Sequence, residues 1–152
     1  MRDFLIRKAT INDIDAMLVI ENSCFTTDKL SKRQITYLLK KAKAICLVAE
    51  RKDKIVGNAI CLLPAHPRPA RLYSIAVLPH HQGKGIAKQF FTHLFLVLEQ
   101  QRYHRCRLEV RESQLKVQAL YQKLGFDNIN LLPYYYQDGE SAVRMEIDLS
   151  SA

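Results

Sequence analysis

The sequence predicts an α/β fold in which a mixed sheet is covered by helices. Three observations carry that prediction. Strand-type and helix-type runs alternate along all 152 residues in the order β-α-α-β-β-β-α-β-α-β-β, the pattern of a layered α/β domain. A short loop with two glycines, Gln82-Gly83-Lys84-Gly85, stands between an apolar strand-like run and a long apolar helix. No Gly/Ser or Pro linker and no internal repeat divides the chain, so residues 1–152 read as one domain.

Phe4-Leu5-Ile6-Arg7 reads as a first strand. Thr10 then offers a helix N-cap, with Asp13 in the place of the capping-box acid, and Ile11, Ile14, Met17 and Leu18 supply a helical stripe. Ser31 and Gln34 repeat the signal before Ile35, Leu38 and Leu39, which places two helices between residues 11 and 42. Residues 44–50 and 54–63 are apolar runs that predict an antiparallel hairpin turning at Asp53-Lys54. Three prolines between Pro64 and Pro69 break the pattern, and a strand over 71–78 ends at Pro79.

Residues 84–101 predict a long helix with Ile86, Phe90, Leu94, Val97 and Leu98 on one face. Phe91, Phe95 and Leu96 make it apolar nearly all round, as in a deeply buried helix or one that lends a face to a partner. Residues 105–110 alternate as a strand. A helix over 114–124 carries Val117, Leu120, Tyr121 and Leu124 on one stripe, then Gly125 as a left-handed cap with Phe126 as its hydrophobic contact. Residues 127–131 and 142–149 read as closing strands around a tyrosine-rich loop.

The 48% hydrophobic and 25% charged residues exclude wholesale disorder. No stretch approaches the roughly 20 apolar residues of a membrane helix, and Met1 to Arg7 lacks the apolar region of a signal peptide. Cys46, Cys61 and Cys106 sit in or beside apolar runs, and no pair including Cys24 forms a CxxC motif. They read as reduced core thiols of a cytoplasmic protein, with no metal site and no membrane partner. The net charge of +8 suits an anionic partner or a plain spread of surface Lys and Arg. The scatter of the basic residues favours the second reading, and no DNA- or RNA-binding motif accompanies them.

The segment Ile75-Ala76-Val77-Leu78-Pro79-His80-His81-Gln82-Gly83-Lys84-Gly85-Ile86-Ala87 carries the most chemistry. Its glycines let the backbone turn sharply and approach a ligand. The free N–H groups of the following helix bind anions, and Lys84 adds a positive charge. The arrangement suits a pyrophosphate. A Gly-x-Gly loop also fits a tight turn or a Rossmann unit, but the full G-x-G-x-x-G is absent and the strand before it follows a hairpin, which disfavours the Rossmann reading.

Gln82-Gly83-Lys84-Gly85-Ile86-Ala87 matches the Q/R-x-x-G-x-G/A signature of the GNAT acetyltransferases, and Val77-x-Pro79 belongs to the same extended pattern. Leu108-Glu109-Val110-Arg111 and Leu120-Tyr121-Gln122-Lys123-Leu124-Gly125-Phe126 match a second block. The stretch from Tyr135 to Ala142 resembles the Y-Y-x-D-G-E-x-A of N-terminal acetyltransferases. The chain resembles this superfamily over nearly its whole length, and within it the bacterial ribosomal-protein alanine N-acetyltransferases and archaeal N-terminal acetyltransferases. It departs at Gln114 and Val117, where relatives often carry Asn and Ala, and at Phe25-Thr26-Thr27-Asp28, where they carry Phe-Pro-Trp.

The resemblance implies a mostly antiparallel central sheet with helices on both faces. It implies direct acetyl transfer from acetyl-CoA to a primary amine in a ternary complex, with a peptide or protein N-terminus, a ribosomal protein among the candidates, as acceptor. Such transfer needs a proton acceptor for the amine, donors for the developing oxyanion and a proton donor for the thiolate. Glu109 is the candidate base; its strand pattern alone favours a surface ion pair with Arg107 or Arg111. Tyr121 is the candidate acid; its place on an apolar stripe also fits a core tyrosine. Ile75, Ala76 and Val77 are expected to offer backbone groups to the pantetheine arm. Gln82, Gly83, Lys84, Gly85, Ile86, Ala87 and Lys88 are expected to hold the phosphates, with Gln114 in the place of the family Asn. Tyr134, Tyr135 and Tyr136 read either as a clamp on a peptide N-terminus or as an aromatic plug at the sheet edge. His80 and His81 read as proton relays or, more simply, as exposed loop residues. A small amine as acceptor, a non-catalytic acyl-CoA or RNA-binding module, and a monomer or a homodimer stay open.

Overall fold

The computed structural model describes residues 3–150. Seven strands form one sheet in the order β1-β2-β3-β4-β5-β7-β6. These are β1 (Phe4–Lys8), β2 (Ala44–Arg51), β3 (Lys54–Leu62), β4 (Ala70–Val77), β5 (Arg105–Arg111), β6 (Asp127–Leu132) and β7 (Ala142–Asp148). The helices are α1 (Ile14–Cys24), α2 (Lys32–Lys40), α3 (Ile86–Gln100) and α4 (Leu115–Leu124). Every neighbouring pair is antiparallel except β4 with β5. The mixed, mostly antiparallel sheet and the element order are as the sequence predicts.

Strand alternation sends the two side-chain sets to opposite faces. Cys46, Val48 and Ile60 pack with Met17, Ile35 and Leu38 under α1 and α2. Leu47, Ala49, Ala59, Cys61, Leu108 and Val110 pack with Phe90, Phe91, Leu94 and Tyr121 under α3 and α4. Gly57 has no side chain because there is no room for one: a Cβ would meet Ala76 O at 2.9 Å and the Phe90 ring at 3.2 Å.

Several local expectations shift for identifiable reasons. The β2–β3 hairpin turns at Lys52-Asp53, both at positive φ (51° and 63°), one residue before the expected Asp53-Lys54; polar side chains there tolerate the left-handed backbone. Thr10 and Asp13 open a short 3-10 turn over Ile11–Asp13 before α1, with Asp13 accepting the Thr10 N–H at 2.8 Å. Ile11 is therefore exposed, outside the helical stripe. Ser31 and Gln34 cap α2 reciprocally, as predicted. In α4 the inward position belongs to Gln118, not Leu120. The Gln118 amide donates to the carbonyls of Arg111 and Glu112 at 3.1 and 3.0 Å, and Leu120 is turned outward. On α3, Phe91 is buried and Phe95 half-buried, but Leu96 faces solvent. All four cysteines are free thiols; Cys24 is only half-buried.

One feature of the sheet shapes the site. β4 and β5 pair over two residues only, Ala70 with Cys106 and Arg71 with Arg107. Beyond Arg71 the strands diverge. β4 stays paired to β3 on one side, and β5 to β7 on the other. A wedge opens between them, edged by peptide groups with no strand partner.

Candidate active site

A cavity of about 930 Å³ fills this wedge. It takes Leu72 to Ile75 from β4 and Leu108 to Arg111 from β5, and it reaches both faces of the sheet. Tyr121 and Gln114 enter from the α4 side, and Glu21, Cys24 and the α1–α2 loop from the other. Tyr135 and Tyr136 enter from the β6–β7 connection. The wedge thus gathers Ile75, Glu109, Gln114, Tyr121, Tyr135 and Tyr136 from four separate stretches of chain. Tyr134 does not join them; it is 83% exposed, at φ 55°. Ala76 and Val77 are buried in β4, outside the cavity lining.

Glu109 points to the α1 side of β5 and is almost wholly enclosed, its side chain 5% exposed. Its partners are neither Arg107 nor Arg111. Arg71 Nε donates to Oε1 at 2.8 Å and Arg144 Nε donates to Oε2 at 3.0 Å. Arg71 also donates to the Tyr135 hydroxyl at 2.7 Å, so a carboxylate–guanidinium–phenol chain crosses the cavity. Arg107 is occupied by Glu146 at 2.9 Å. The partners lie on the flanking strands β4 and β7, which a strand pattern alone does not reveal.

Tyr121 is a core aromatic that also borders the cavity. Its ring packs edge-on against Phe91 and Phe126, at centroid distances of 5.9 and 5.8 Å, so it is a core aromatic. It also lines the cavity. Burial, with Tyr136 adding to it, pushes its hydroxyl up to about 12, so the group is a phenol throughout the neutral range. Burial does the same to Tyr136, also to about 12.

Arg111 is the residue the sequence undervalues. It donates to Asp28 at 2.6 Å and to Asp138 and Glu140 at 2.9 and 2.8 Å. Its guanidinium also stacks 4.1 Å over the Tyr136 ring. Its own pKa is raised, first by Glu140 and Asp28. The α1–α2 loop and the β6–β7 loop are thereby fastened to β5 and to each other, forming a roof over that side of the cavity. Strand alternation puts Arg111 on the same face as Glu109; that was the available signal.

The phosphate-binding expectation rests on the loop between β4 and α3. Gly83 and Gly85 adopt φ 77° and 87°, and a Cβ at either would meet nothing within 4 Å. They provide conformation and an open approach. Gly85 is the N-cap of α3, and no side chain caps the first turn, so its N–H groups are available to an anion. Lys84 and Lys88 are exposed beside it, and Ile86 and Ala87 form the first turn itself. Gln82 works differently: its amide donates to Val77 O at 3.0 Å and pins the loop to the end of β4. His81 is tied to Arg51, whose Nη1 lies 3.0 Å from Nδ1. A guanidinium only donates, so Nδ1 accepts and the ring proton sits on Nε2. Burial, then the Arg51 charge, lowers the His81 pKa.

The loop, the unpaired β4 edge and the cavity fit an extended acyl thioester bearing a pyrophosphate. Among the described residues no cluster of His, Cys, Asp or Glu has metal-binding geometry, and no helix is long and apolar enough to cross a membrane.

Residues 14–126 match the profile of the Acetyltransferase (GNAT) family. An N-alpha-acetyltransferase of Saccharolobus solfataricus is 31% identical, over 95% of this chain and 92% of its own. A ribosomal protein bS18-alanine N-acetyltransferase of Haemophilus ducreyi is 36% identical, over 71% of this chain and 76% of its own. The crystal structure of the ribosomal-protein-S18-alanine N-acetyltransferase of Escherichia coli superposes with a TM-score of 0.86 at 27% identity, covering 98% of this chain and 96% of that one.

Proposed function

The chain belongs to the acetyltransferase (GNAT) family, and from that membership we propose that it transfers acetyl from acetyl-CoA directly to the N-terminal α-amine of a peptide or protein. The observation that carries the reading is the wedge between β4 and β5, open on both faces, with Tyr121 on one side and Glu109 on the other. A ternary complex needs such a passage, because donor and acceptor must meet head-on. The roof of Tyr135, Tyr136 and the α1–α2 loop supports a peptide as acceptor, since phenol hydroxyls and rings can hold an extended chain end. The names of the archaeal and bacterial relatives point the same way. Four free thiols suit a cytoplasmic setting.

The donor brings an activated acetyl thioester. The first turn of α3 and Lys84 hold its phosphates, and the free edge of β4 around Ile75 to Val77 aligns its arm. A β4 N–H facing the wedge stabilises the charge developing on the thioester oxygen. Tyr121 gives its proton to the departing sulfur. Glu109 stays within reach of a water because each of its oxygens keeps a lone pair beside its arginine bond; it takes the amine proton through that water. Gln114, at the start of α4, lines the donor side.

The reading is tested by intact-mass detection of acetyl transfer to a peptide panel. Free α-amine peptides starting with Ala, Ser or Met are paired with blocked versions containing Lys and with small amines. Transfer confined to free α-amines is expected; transfer to small amines alone would overturn the peptide assignment. For Glu109, the Glu109→Gln variant should lose most rate at low pH, where neutral amine is scarce. A kcat/KM profile parallel to wild type from pH 6 to 9 would remove Glu109 from proton transfer.

A further inference from the structure

We propose that Ser74 and Glu21 form the subsite that receives the acceptor's ammonium group, with Ser74 Oγ as the contact atom and Glu21 as the positioning charge behind it. The inference rests on the reading above, that the site acts on a primary amine, and deepens it.

Among the described residues, the acids buried over main chain and side chain together are Asp13 and Glu21. Asp13 is neutralised by Arg7, bonded at 2.9 Å to both oxygens. Glu21, 1% exposed on α1, has no cationic partner among the described residues. Its Oε1 accepts the Leu30 N–H at 2.9 Å and its Oε2 accepts the Ser74 hydroxyl at 2.8 Å. A buried charge without a counter-charge is costly. A glutamine would accept the Leu30 N–H but not the Ser74 proton, so what the carboxylate adds is to hold that proton and leave the Ser74 oxygen as an acceptor.

Position indicates what it serves. Ser74 lies on β4 beyond the last pairing with β5 and is half-buried, and both residues line the cavity on the α1 side. The Ser74 proton is committed to Glu21, which leaves the oxygen to accept a bond from the cavity. A hydroxyl backed by a carboxylate is a strong acceptor for a charged donor. The other enclosed acid of the cavity, Glu109, already holds two guanidinium groups. An incoming ammonium therefore finds its uncompensated negative charge at Glu21, through Ser74. The helical position agrees: Glu21 follows Met17 by four residues, so a charge occupies the stripe where α1 is otherwise apolar.

The test compares wild type with Glu21→Gln, Ser74→Ala and the double variant on a free α-amine peptide. Glu21→Gln keeps the Leu30 bond at its Oε1 but removes the charge and reverses the other bond, its Nε2 donating to Ser74 Oγ, so the hydroxyl no longer presents a free acceptor to the cavity. The acceptor KM should rise about tenfold or more, with the acetyl-CoA KM and the Tm unchanged. Ser74→Ala should do likewise, and the double variant should be no worse than either single one, as for one coupled unit. An inhibitor peptide with hydrogen in place of the α-amine should bind wild type and Glu21→Gln alike. An acceptor KM within twofold of wild type overturns the proposal. So does equal weakening of the amine-free inhibitor, which would mark a disturbed loop. If wild type acetylates a small amine and no peptide, the N-terminal reading falls; the same comparison made with that amine still decides the subsite.

Discussion

The Tyr121→Phe variant is expected to lose about 10²- to 10⁴-fold in kcat, the range for a positioned general acid, with acetyl-CoA affinity nearly unchanged. The expectation follows from what the substitution leaves intact. The ring, with its contacts to Phe91 and Phe126, is kept, and the hydroxyl makes no hydrogen bond within the described protein that could be lost. Packing, and with it Tm, should hold. The readouts are single-turnover transfer and equilibrium binding of the donor. A variant within about threefold of wild-type turnover would end the assignment of Tyr121 as the acid. There is a companion expectation in the pH profile. Burial holds the Tyr121 hydroxyl at about 12, so its proton stays in place across any practical assay. An alkaline fall in kcat that begins near pH 9 must then come from another group, and Tyr121→Phe should leave that fall where it is.

The second large effect is expected at Arg111. Replacement by Met keeps much of the aliphatic stem but removes the guanidinium that joins Asp28, Asp138, Glu140 and Tyr136. Three carboxylates are then left close together without their counter-charge. The Arg111 side chain is 13% exposed, but Asp28 and Asp138 are 41% and 56% exposed, so water screens much of the loss. A cost of about 2 kcal/mol lowers Tm by roughly 4–8 °C. The functional loss should exceed the structural one: the acceptor KM rises more than tenfold, and the acetyl-CoA KM stays put, because the roof covers only the acceptor side. Lysine should not rescue, since one ammonium cannot span three carboxylates and stack on a ring. An acceptor KM within twofold of wild type in Arg111→Met would mean that the roof plays no part in binding. Glu140 sets the acid limit of this device. Hydrogen bonds from Ser113, then Arg111, hold its carboxyl down to about 2 from an ordinary 4.5. Its anchoring is therefore complete above pH 4.5 and is lost only as pH falls toward 2.

These two residues also show what a sequence can and cannot disclose. The order of elements was legible, because period and capping are local; Ser31 and Gln34 announce α2, and Gly125 announces the end of α4. The Gly83–Gly85 loop was legible because positive φ leaves few alternatives to glycine. Tyr121 and Glu109 were singled out by resemblance, since periodicity alone favoured a core ring and strand alternation alone favoured a surface ion pair. What stayed hidden depends on register across strands. Glu109 meets Arg71 and Arg144 only because β4, β5 and β7 lie side by side, and no local pattern fixes that order. Glu21 was hidden differently: within its helix it looks like one charge among apolar neighbours, and its partner Ser74 is 53 residues away. Gln118 displaced Leu120 from the inward stripe for a comparable reason, two carbonyls at the end of β5 that needed a donor.

The parting of β4 from β5 also bears on how freely this chain can drift. The edge it exposes is made of peptide groups, which every residue type except proline carries in full. Recognition written in main chain has no side chain to lose, so Ile75, Ala76 and Val77 are held to shape and volume by the core beneath them, not to identity by the ligand. The donor side can therefore stay fixed through extensive substitution. In the proposed function the acceptor side is made of Glu21, Ser74, Arg71, Arg111, Tyr135 and Tyr136, where a single exchange would rewrite the chemistry. Divergence between members of such a fold is thereby channelled toward the choice of acceptor, and away from the choice of donor.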